Sequence, residues 1–193
     1  MLKKKEIVWR EILCQSIDKK TRQFTQKQLA KKFGYSLSTI FNALKIPRAS
    51  GAVEVKSKFF TVRDQEKFLN IWSTFRNLAK DIIYETRVDA PALQIEGLMP
   101  ADAIFTAYSA YRQKFSDAPA DYDKVYVYAA NPAEIKKRFP PQKGYVNLIV
   151  LKPDVYLKNY GPTVPAAQLY ADLWNLPEWY AKDFLNGLKE KIF

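Results

Sequence analysis

Two helical patterns with a single glycine between them, in the segment FTQKQLAKKFGYSLSTIFNALK (residues 24–45), constrain the fold of this chain more than any other feature. The first helix is predicted over residues 25–33, with Thr25 as its N-cap and Gln28 closing a capping box. Gly34 follows, and glycine readily adopts the left-handed conformation that ends a helix. The segment therefore predicts a sharp turn between two short helices.

The next helix is predicted to begin immediately after this turn. Ser36 is a suitable N-cap, and residues 37–46 place Ile40 and Leu44 on the inward face. Pro47 is expected to limit further extension. The separation of ten residues between Ala30 and Ile40 lets two short helices cross at a steep angle, as in a helix-turn-helix.

The flanking segments complete a defined order of elements. An apolar stripe predicts a helix over residues 6–17. Downstream, apolar residues alternate with mostly polar ones in residues 53–63, and this pattern predicts a β-hairpin that turns near Lys56 and Lys58. Asp64 is a good cap for a longer helix over residues 65–78. Three helices followed by a hairpin predict a winged helix-turn-helix, a DNA-binding domain, in residues 1–80.

In the second half, strands alternate with helices. Strands are predicted at residues 82–88, 124–130 and 145–152, and helices at residues 100–115, 132–139, 165–176 and 178–192. This alternation indicates a mixed α/β domain in residues 81–193, with a regulatory or interaction role. The whole chain is therefore predicted to be α+β.

Positive charge is concentrated in the first of these two parts. The chain has a formal net charge of +11, and residues 1–80 hold 18 Lys/Arg against 6 Asp/Glu, whereas residues 81–193 hold 13 against 14. Basic surfaces attract polyanions by neutralising phosphates and releasing counterions. A merely solvated, highly charged surface is the alternative, but the asymmetry favours a nucleic-acid-binding module.

The outward side of the helix after Gly34 and the hairpin tip carry the side chains expected to contact double-stranded DNA. Hydroxyl and amide groups meet base edges or phosphates, and lysine suits phosphate. Phe41 either contacts a thymine methyl group or packs internally. In the second case the set of helix residues that contact DNA shifts by one position. A homodimer would suit a palindromic operator. The predicted DNA-binding residues are Thr25, Gln26, Ser36, Ser38, Thr39, Phe41, Asn42, Lys45, Arg48, Lys56 and Lys58.

The segment FTQKQLAKKFGYSLSTIFNALK also resembles the N-terminal winged helix of bacterial and archaeal transcription regulators. The later segments GLMPADAIFTAYSAYR and LIVLKPDVYLKNYGPTVPAAQLYADLWNLPEWYAKDFLNGLKEKI resemble the regulator group that includes AbiEi-like antitoxins of type IV toxin–antitoxin systems. In that group a winged helix precedes an α/β domain, and the chain often represses its own operon. The resemblance implies a repressor whose recognition helix includes residues 36–42, with a cognate toxin as partner. Leu37 departs from the polar residue frequent in such helices.

Asp121 and Asp123 form the strongest candidate for catalysis. They alternate at the entrance to a predicted strand, which places both carboxylates on one face. Paired aspartates of this kind bind magnesium in nucleotidyltransferases, but those enzymes also need a Gly-Ser helix start, and Ser109 lacks the glycine. The alternative to a catalytic role is that both aspartates are ordinary polar turn residues before a strand. The prediction is that the chain is not an enzyme, with a nucleotidyltransferase-like enzyme or a degenerate relative as the alternative.

Composition excludes several other classes of site. Histidine is absent and Cys14 is the only cysteine, which excludes a Cys/His zinc site, an intrachain disulfide and a histidine-dependent triad. No phosphate-binding glycine loop is present, so neither a cofactor nor a metal is predicted. The aromatic residues between positions 156 and 184 are predicted as core, or as a protein interface if they are exposed together, which leaves a docking adaptor as a third hypothesis.

The chain is also predicted to be cytoplasmic. No apolar run approaches the roughly 20 residues that a membrane helix needs. The first ten residues, MLKKKEIVWR, lack the apolar segment and cleavage site of a signal peptide. Membrane association is therefore not expected.

Overall fold

The predicted order of three helices and a hairpin is present at the start of the chain. The computed structural model describes residues 1–193, and its architecture is α+β, as the sequence predicts. The elements of the first part are α1 (Lys4–Asp18), β1 (Gln23–Phe24), α2 (Gln26–Phe33), α3 (Leu37–Ala49), β2 (Val53–Val55), β3 (Phe60–Val62) and α4 (Gln65–Phe75). The three short strands form an antiparallel sheet in the order β1-β3-β2.

The rest of the chain builds a four-stranded mixed sheet covered by helices. Its elements are β4 (Ile82–Thr86), α5 (Ala92–Gly97), β5 (Ile104–Thr106), α6 (Ala107–Phe115), β6 (Val125–Tyr128), α7 (Ala133–Arg138), β7 (Leu148–Leu151), α8 (Ala166–Trp174) and α9 (Ala181–Ile192), with 3₁₀ turns at Ala79–Asp81 and Leu157–Tyr160. The strand order is β4-β7-β6-β5, and only β6 and β7 run parallel. None of the helices has the length and apolar character to cross a bilayer.

Local hydrogen bonds explain the helix boundaries of the first part. The Thr25 side chain accepts a bond from the Gln28 backbone at 3.2 Å, and Gln28 closes the capping box. Gly34 adopts the left-handed conformation with φ 63°, as predicted. Ser36 and Asp64 cap α3 and α4 by accepting bonds from the third residue that follows each of them. These four boundaries are therefore set by residues adjacent to them in sequence.

The end predicted for α3 at Pro47 is wrong, because the helix continues through the proline to Ala49. Proline lacks a backbone N–H, so the carbonyl of Ala43 has no donor four residues later. The indole Nε1 of Trp9, on α1, donates to this carbonyl at 2.7 Å instead. Trp9 is completely buried. A tertiary contact thus replaces the helical hydrogen bond that Pro47 removes, and the added turn carries Arg48.

Replacing Trp9 by phenylalanine should destabilise the fold by about 1–3 kcal/mol beyond the effect of lost volume, because the buried Ala43 carbonyl loses its donor. Pro47→Ala restores a backbone donor to α3. The cost of Trp9→Phe should therefore be smaller in the Pro47→Ala background than in the wild type. Urea denaturation of the four proteins of this double-mutant cycle measures the coupling. Equal costs in both backgrounds would show that the indole does not compensate for the proline.

The helix predicted over residues 100–115 is also incorrect in its first half. Ile104–Thr106 forms the edge strand β5, in which Ile104 pairs with Tyr128 of β6. Only Ala107–Phe115 is helical, and the short helix α5 just upstream was not predicted. The sheet offers residues 104–106 backbone partners that local periodicity does not reveal.

The main hydrophobic core extends across residue 80. Helix α1 packs against α3 and α4 and also against α8 of the second part. Buried side chains from all four helices belong to one cluster, whereas a smaller cluster lies on the opposite face of the mixed sheet, between the sheet and helices α5 and α7. Cys14 is a buried member of α1, and burial raises the pKa of its thiol to about 12. The domain boundary at residue 80 stays a prediction.

Buried ion pairs also cross residue 80. Arg10 of α1 makes two hydrogen bonds with Asp154, at 2.6 and 2.7 Å, and neither side chain is accessible to solvent beyond 2%. Arg76, just after α4, binds Asp172 of α8 at 2.8 Å and the hydroxyl of Tyr128 at 2.9 Å. Although burial alone would lower it, the pKa of Arg10 is raised because Asp154 stabilises the charged guanidinium. Both contacts hold the helices of the first part against the second.

Candidate nucleic-acid interface

Helix α3 has one buried face and one exposed face. Ile40 and Leu44 are buried, which orients the helix as predicted. Ser38 and Asn42 lie one turn apart on the exposed side. Hydroxyl and amide groups in such a stripe can donate and accept hydrogen bonds with a partner. The outer side of α3 therefore presents polar groups that its own packing does not use.

A second exposed stripe of α3 consists of Phe41, Lys45 and Arg48. Phe41 is 47% exposed, so it does not pack internally. The Lys45 Nζ atom lies 5.6 Å from the centre of the Phe41 ring. Arg48 joins this stripe because α3 continues past Pro47. The stripe thus combines an apolar ring with two cations on the surface.

Three predicted contact residues are already hydrogen-bonded at the starts of α2 and α3. The Ser36 hydroxyl lies 2.9 Å from the Thr39 hydroxyl and also accepts from the Thr39 backbone at 3.2 Å. Thr25 bonds to Gln28 in the same way, and Gln26 beside it is half-buried. These side chains hold the helix starts in place. Ser38 makes only a long contact, 3.5 Å, with the Ser36 hydroxyl, and Asn42 makes no side-chain hydrogen bond.

A shallow groove of about 500 Å³ lies between the starts of α2 and α3 and the β2–β3 turn. It brings together Thr25, Gln26, Lys56 and Lys58, which are separate in sequence. The hairpin holds the two lysines in place, because the Lys56 backbone donates to the Phe59 carbonyl at 2.8 Å. The groove is also lined by Lys27, Leu37, Ser57 and Phe59, four residues that were not among the predicted contacts. Lys27 adjoins Gln26, and Ser57 lies between two predicted lysines, so sequence proximity could have indicated both.

The electrostatic character of this surface is uniform. No acidic residue occurs from Lys19 to Val53. The two acidic residues that flank this stretch have partners of their own: Asp18 accepts a hydrogen bond from the Cys14 thiol, and Glu54 pairs with Arg63. None of the five cations Lys27, Lys45, Arg48, Lys56 and Lys58 forms a salt bridge. The α3 face and the adjoining groove, together called the basic face below, can therefore attract a polyanion.

Asp121 and Asp123 lie in the loop that precedes β6, and both are exposed. Asp123 accepts a hydrogen bond from the Tyr180 hydroxyl at 2.5 Å. No group of three or more histidine, cysteine, aspartate or glutamate side chains in residues 1–193 is placed to hold a metal ion. Ser109 is buried in α6, and its hydroxyl has no hydrogen-bond partner.

The C-terminal aromatic residues divide between core and surface. Tyr170 and Phe184 are buried, whereas Trp174 and Trp179 are exposed at separate places, Trp174 beside α4 and Trp179 beside the loop before β6. They therefore do not form one continuous aromatic interface. Comparisons with protein-family models, with curated proteins and with solved structures found no match for this chain.

Proposed function

We propose that residues 1–80 form a winged helix-turn-helix that binds double-stranded DNA, and that the protein is a sequence-specific transcription regulator, a repressor. The observation that carries this proposal is the basic face: an outward helix α3 and the hairpin lysines lie on one surface without acidic residues. The order of three helices and a hairpin, with β1 added to the antiparallel sheet, supports the same assignment. Helix α3 is then the recognition helix, and the β2–β3 turn is the wing.

The side chains of α3 suit contacts in the major groove. The helix has 13 residues and is therefore about 20 Å long, and an α-helix fits the width of that groove. The Asn42 amide can pair with adenine, and Phe41 can contact a thymine methyl group. Lys45 and Arg48 can neutralise phosphates beside the groove, while Lys56 and Lys58 reach the backbone from the wing. Readout of bases is thus assigned to α3, and most of the affinity to the lysines.

The biological role within this proposal is repression by a homodimer on a palindromic operator. Two copies of the chain would place two α3 helices on successive turns of the duplex. The resemblance of the second half to the regulator group that includes AbiEi-like antitoxins supports control of the protein's own operon and a cognate toxin as partner. The second half would then supply the dimer or toxin contacts.

The proposal is tested by selecting duplexes from a random library and measuring affinity by fluorescence anisotropy. On the selected sequence, Asn42→Ala should weaken binding by about 1–3 kcal/mol, because it removes a base contact. On random duplex the same change should have little effect. Lys45→Ala should weaken binding to the selected duplex and to the random duplex about equally, because phosphate contacts carry no sequence information. A wild-type protein without salt-sensitive DNA binding, or two variants that leave affinity unchanged, would contradict the recognition-helix assignment.

A further inference from the structure

The second part of the chain contains an open cleft of about 620 Å³, far in sequence from the basic face. It lies between the loop before β6, the segment before β7 and the connection from α8 to α9. Its lining consists of Asp121, Tyr122, Asp123, Lys124, Tyr145, Pro177, Glu178, Trp179 and Tyr180. This set, called the aromatic cleft below, combines four rings with three carboxylates.

The floor of the aromatic cleft is a buried carboxylate with a complete set of donors. Glu178 accepts hydrogen bonds from the hydroxyls of Tyr108 and Tyr126, at 2.8 and 2.9 Å, and from Lys124 Nζ at 2.8 Å. Burial and the Glu178 charge raise the pKa of both tyrosines, which therefore stay protonated donors. Both oxygens of the Glu178 carboxylate are hydrogen-bonded, and the charge of Lys124 is matched by Glu178.

Two carboxylates on the wall remain without a neutralising cation. The Tyr180 hydroxyl is the one side-chain group that donates a hydrogen bond to Asp123, and Asp121 makes no side-chain hydrogen bond. Neither forms a salt bridge. Lys124 and Glu178 cancel each other, so Asp121 and Asp123 leave the lining with a net charge of about −2. A locally negative cleft on a chain of net charge +11 is opposite in sign to the protein as a whole.

Ring faces in the cleft are open to solvent. Trp179 is 79% exposed and Tyr145 is 59% exposed. Trp179 stands almost perpendicular to Tyr180, at 85° with ring centres 5.4 Å apart, which orients the indole. The Lys124 Nζ atom lies 5.1 Å from the Tyr145 ring centre, so one ring of the cleft already faces a cation of this chain. The Trp179 indole has no such cation.

We propose that the aromatic cleft binds a small organic cation, a guanidinium or alkylammonium group on a short apolar stem, against Trp179 and beside Asp121 and Asp123. Aromatic faces attract such cations, and tryptophan does so most strongly. Carboxylates pair with guanidinium groups through charge-assisted hydrogen bonds. Anions are disfavoured by the two free carboxylates, and a bare metal ion lacks a ligand set here. This inference is independent of DNA binding by the basic face.

The test is a titration of the full chain with agmatine, which has a guanidinium and an ammonium group, followed through the four indole N–H signals by NMR. The Trp179 signal should shift and saturate, while those of buried Trp9 and Trp72 and of Trp174, outside the cleft, should not. Butyrate, with an anionic group on a similar stem, should produce no shift. No saturable shift of Trp179 up to about 10 mM agmatine, or the same response to butyrate, would overturn the proposal.

Matched variants separate a specific site from general attraction. Asp121→Asn and Trp179→Ala should each weaken agmatine binding by up to about fivefold, in line with the strength of an exposed ion pair for Asp121 and of an exposed cation–π contact for Trp179. Both residues are exposed and Asp121 has no hydrogen bond to lose, so the fold should be retained. For Trp179→Ala, where the reporting indole is lost, calorimetry measures the affinity. Trp174→Ala should bind as the wild type does. Unchanged affinity in Asp121→Asn and Trp179→Ala would refute the assignment.

Discussion

Asp154→Asn is expected to lower the free energy of unfolding by about 3–5 kcal/mol, because it leaves a buried arginine without its counterion. The change keeps the size of the side chain but removes the charge that faces Arg10. The guanidinium of Arg10 is completely buried, so it would lose its counterion without gaining water. Its remaining partners are the Gln168 side chain, at 2.9 Å, and the Tyr160 ring. Urea denaturation followed by circular dichroism measures the loss.

The same substitution at an exposed ion pair is the control for this prediction. Asp89 pairs with Arg87 at 2.6 Å, but both side chains are exposed. Asp89→Asn should therefore change stability by less than about 1 kcal/mol. The double variant Arg10→Met/Asp154→Leu should recover much of the loss, because an apolar pair removes both buried charges. A cost of Asp154→Asn no greater than that of Asp89→Asn would show that the buried pair does not hold α1 against the second part.

The second large effect concerns the salt dependence of the proposed DNA binding. In the triple variant Lys45→Gln/Lys56→Gln/Lys58→Gln, three cations of the basic face are removed. Each phosphate contact contributes about 0.9 to the slope of log affinity against log salt, so the slope should fall by about 2.7. At about 0.1 M salt the affinity should drop by two to three orders of magnitude. Anisotropy titrations with one duplex at several salt concentrations give both quantities.

A second triple variant distinguishes local contacts from net charge. Lys136, Lys137 and Lys143 are exposed lysines of the second part, and none forms a salt bridge. Their replacement by glutamine changes the net charge by the same amount but leaves the basic face intact. It should reduce the slope only slightly. Equal losses in the two triple variants would mean that the chain attracts DNA by overall charge and that the basic face is not the interface.

Local sequence was sufficient for four helix boundaries of the first part. Thr25, Gly34, Ser36 and Asp64 act through hydrogen bonds or backbone conformation within a few residues, so their effects are visible in the sequence. Prediction was wrong where a distant partner decides the outcome. The helix continues past Pro47 because Trp9, 34 positions before Ala43, donates the missing bond. Ile104–Thr106 is a strand because it pairs with β6.

The candidate site, like the fold, could be predicted from the sequence only in part. The exposure of Ser38 and Asn42 follows from the burial of Ile40 and Leu44, which helical periodicity predicts. For Phe41 the sequence left exposure and internal packing open, and the structure shows the ring exposed. The groove of the basic face does not follow from periodicity, because it requires the hairpin turn to lie beside the starts of α2 and α3. The aromatic cleft likewise depends on the approach of Tyr145 and Trp179 to the loop before β6.

By itself, the sequence determined the starts of α2, α3 and α4, the end of α2 at Gly34, the side of α3 that faces outward and the concentration of positive charge in the first 80 residues. These properties depend on neighbouring residues or on simple charge counts. Only the tertiary structure decided how α1 is tied to the second part, how far α3 extends, and which side chains share a groove. Such features depend on contacts between residues far apart in the chain, because the buried partners of Arg10, of the Ala43 carbonyl and of Glu178 lie on other elements.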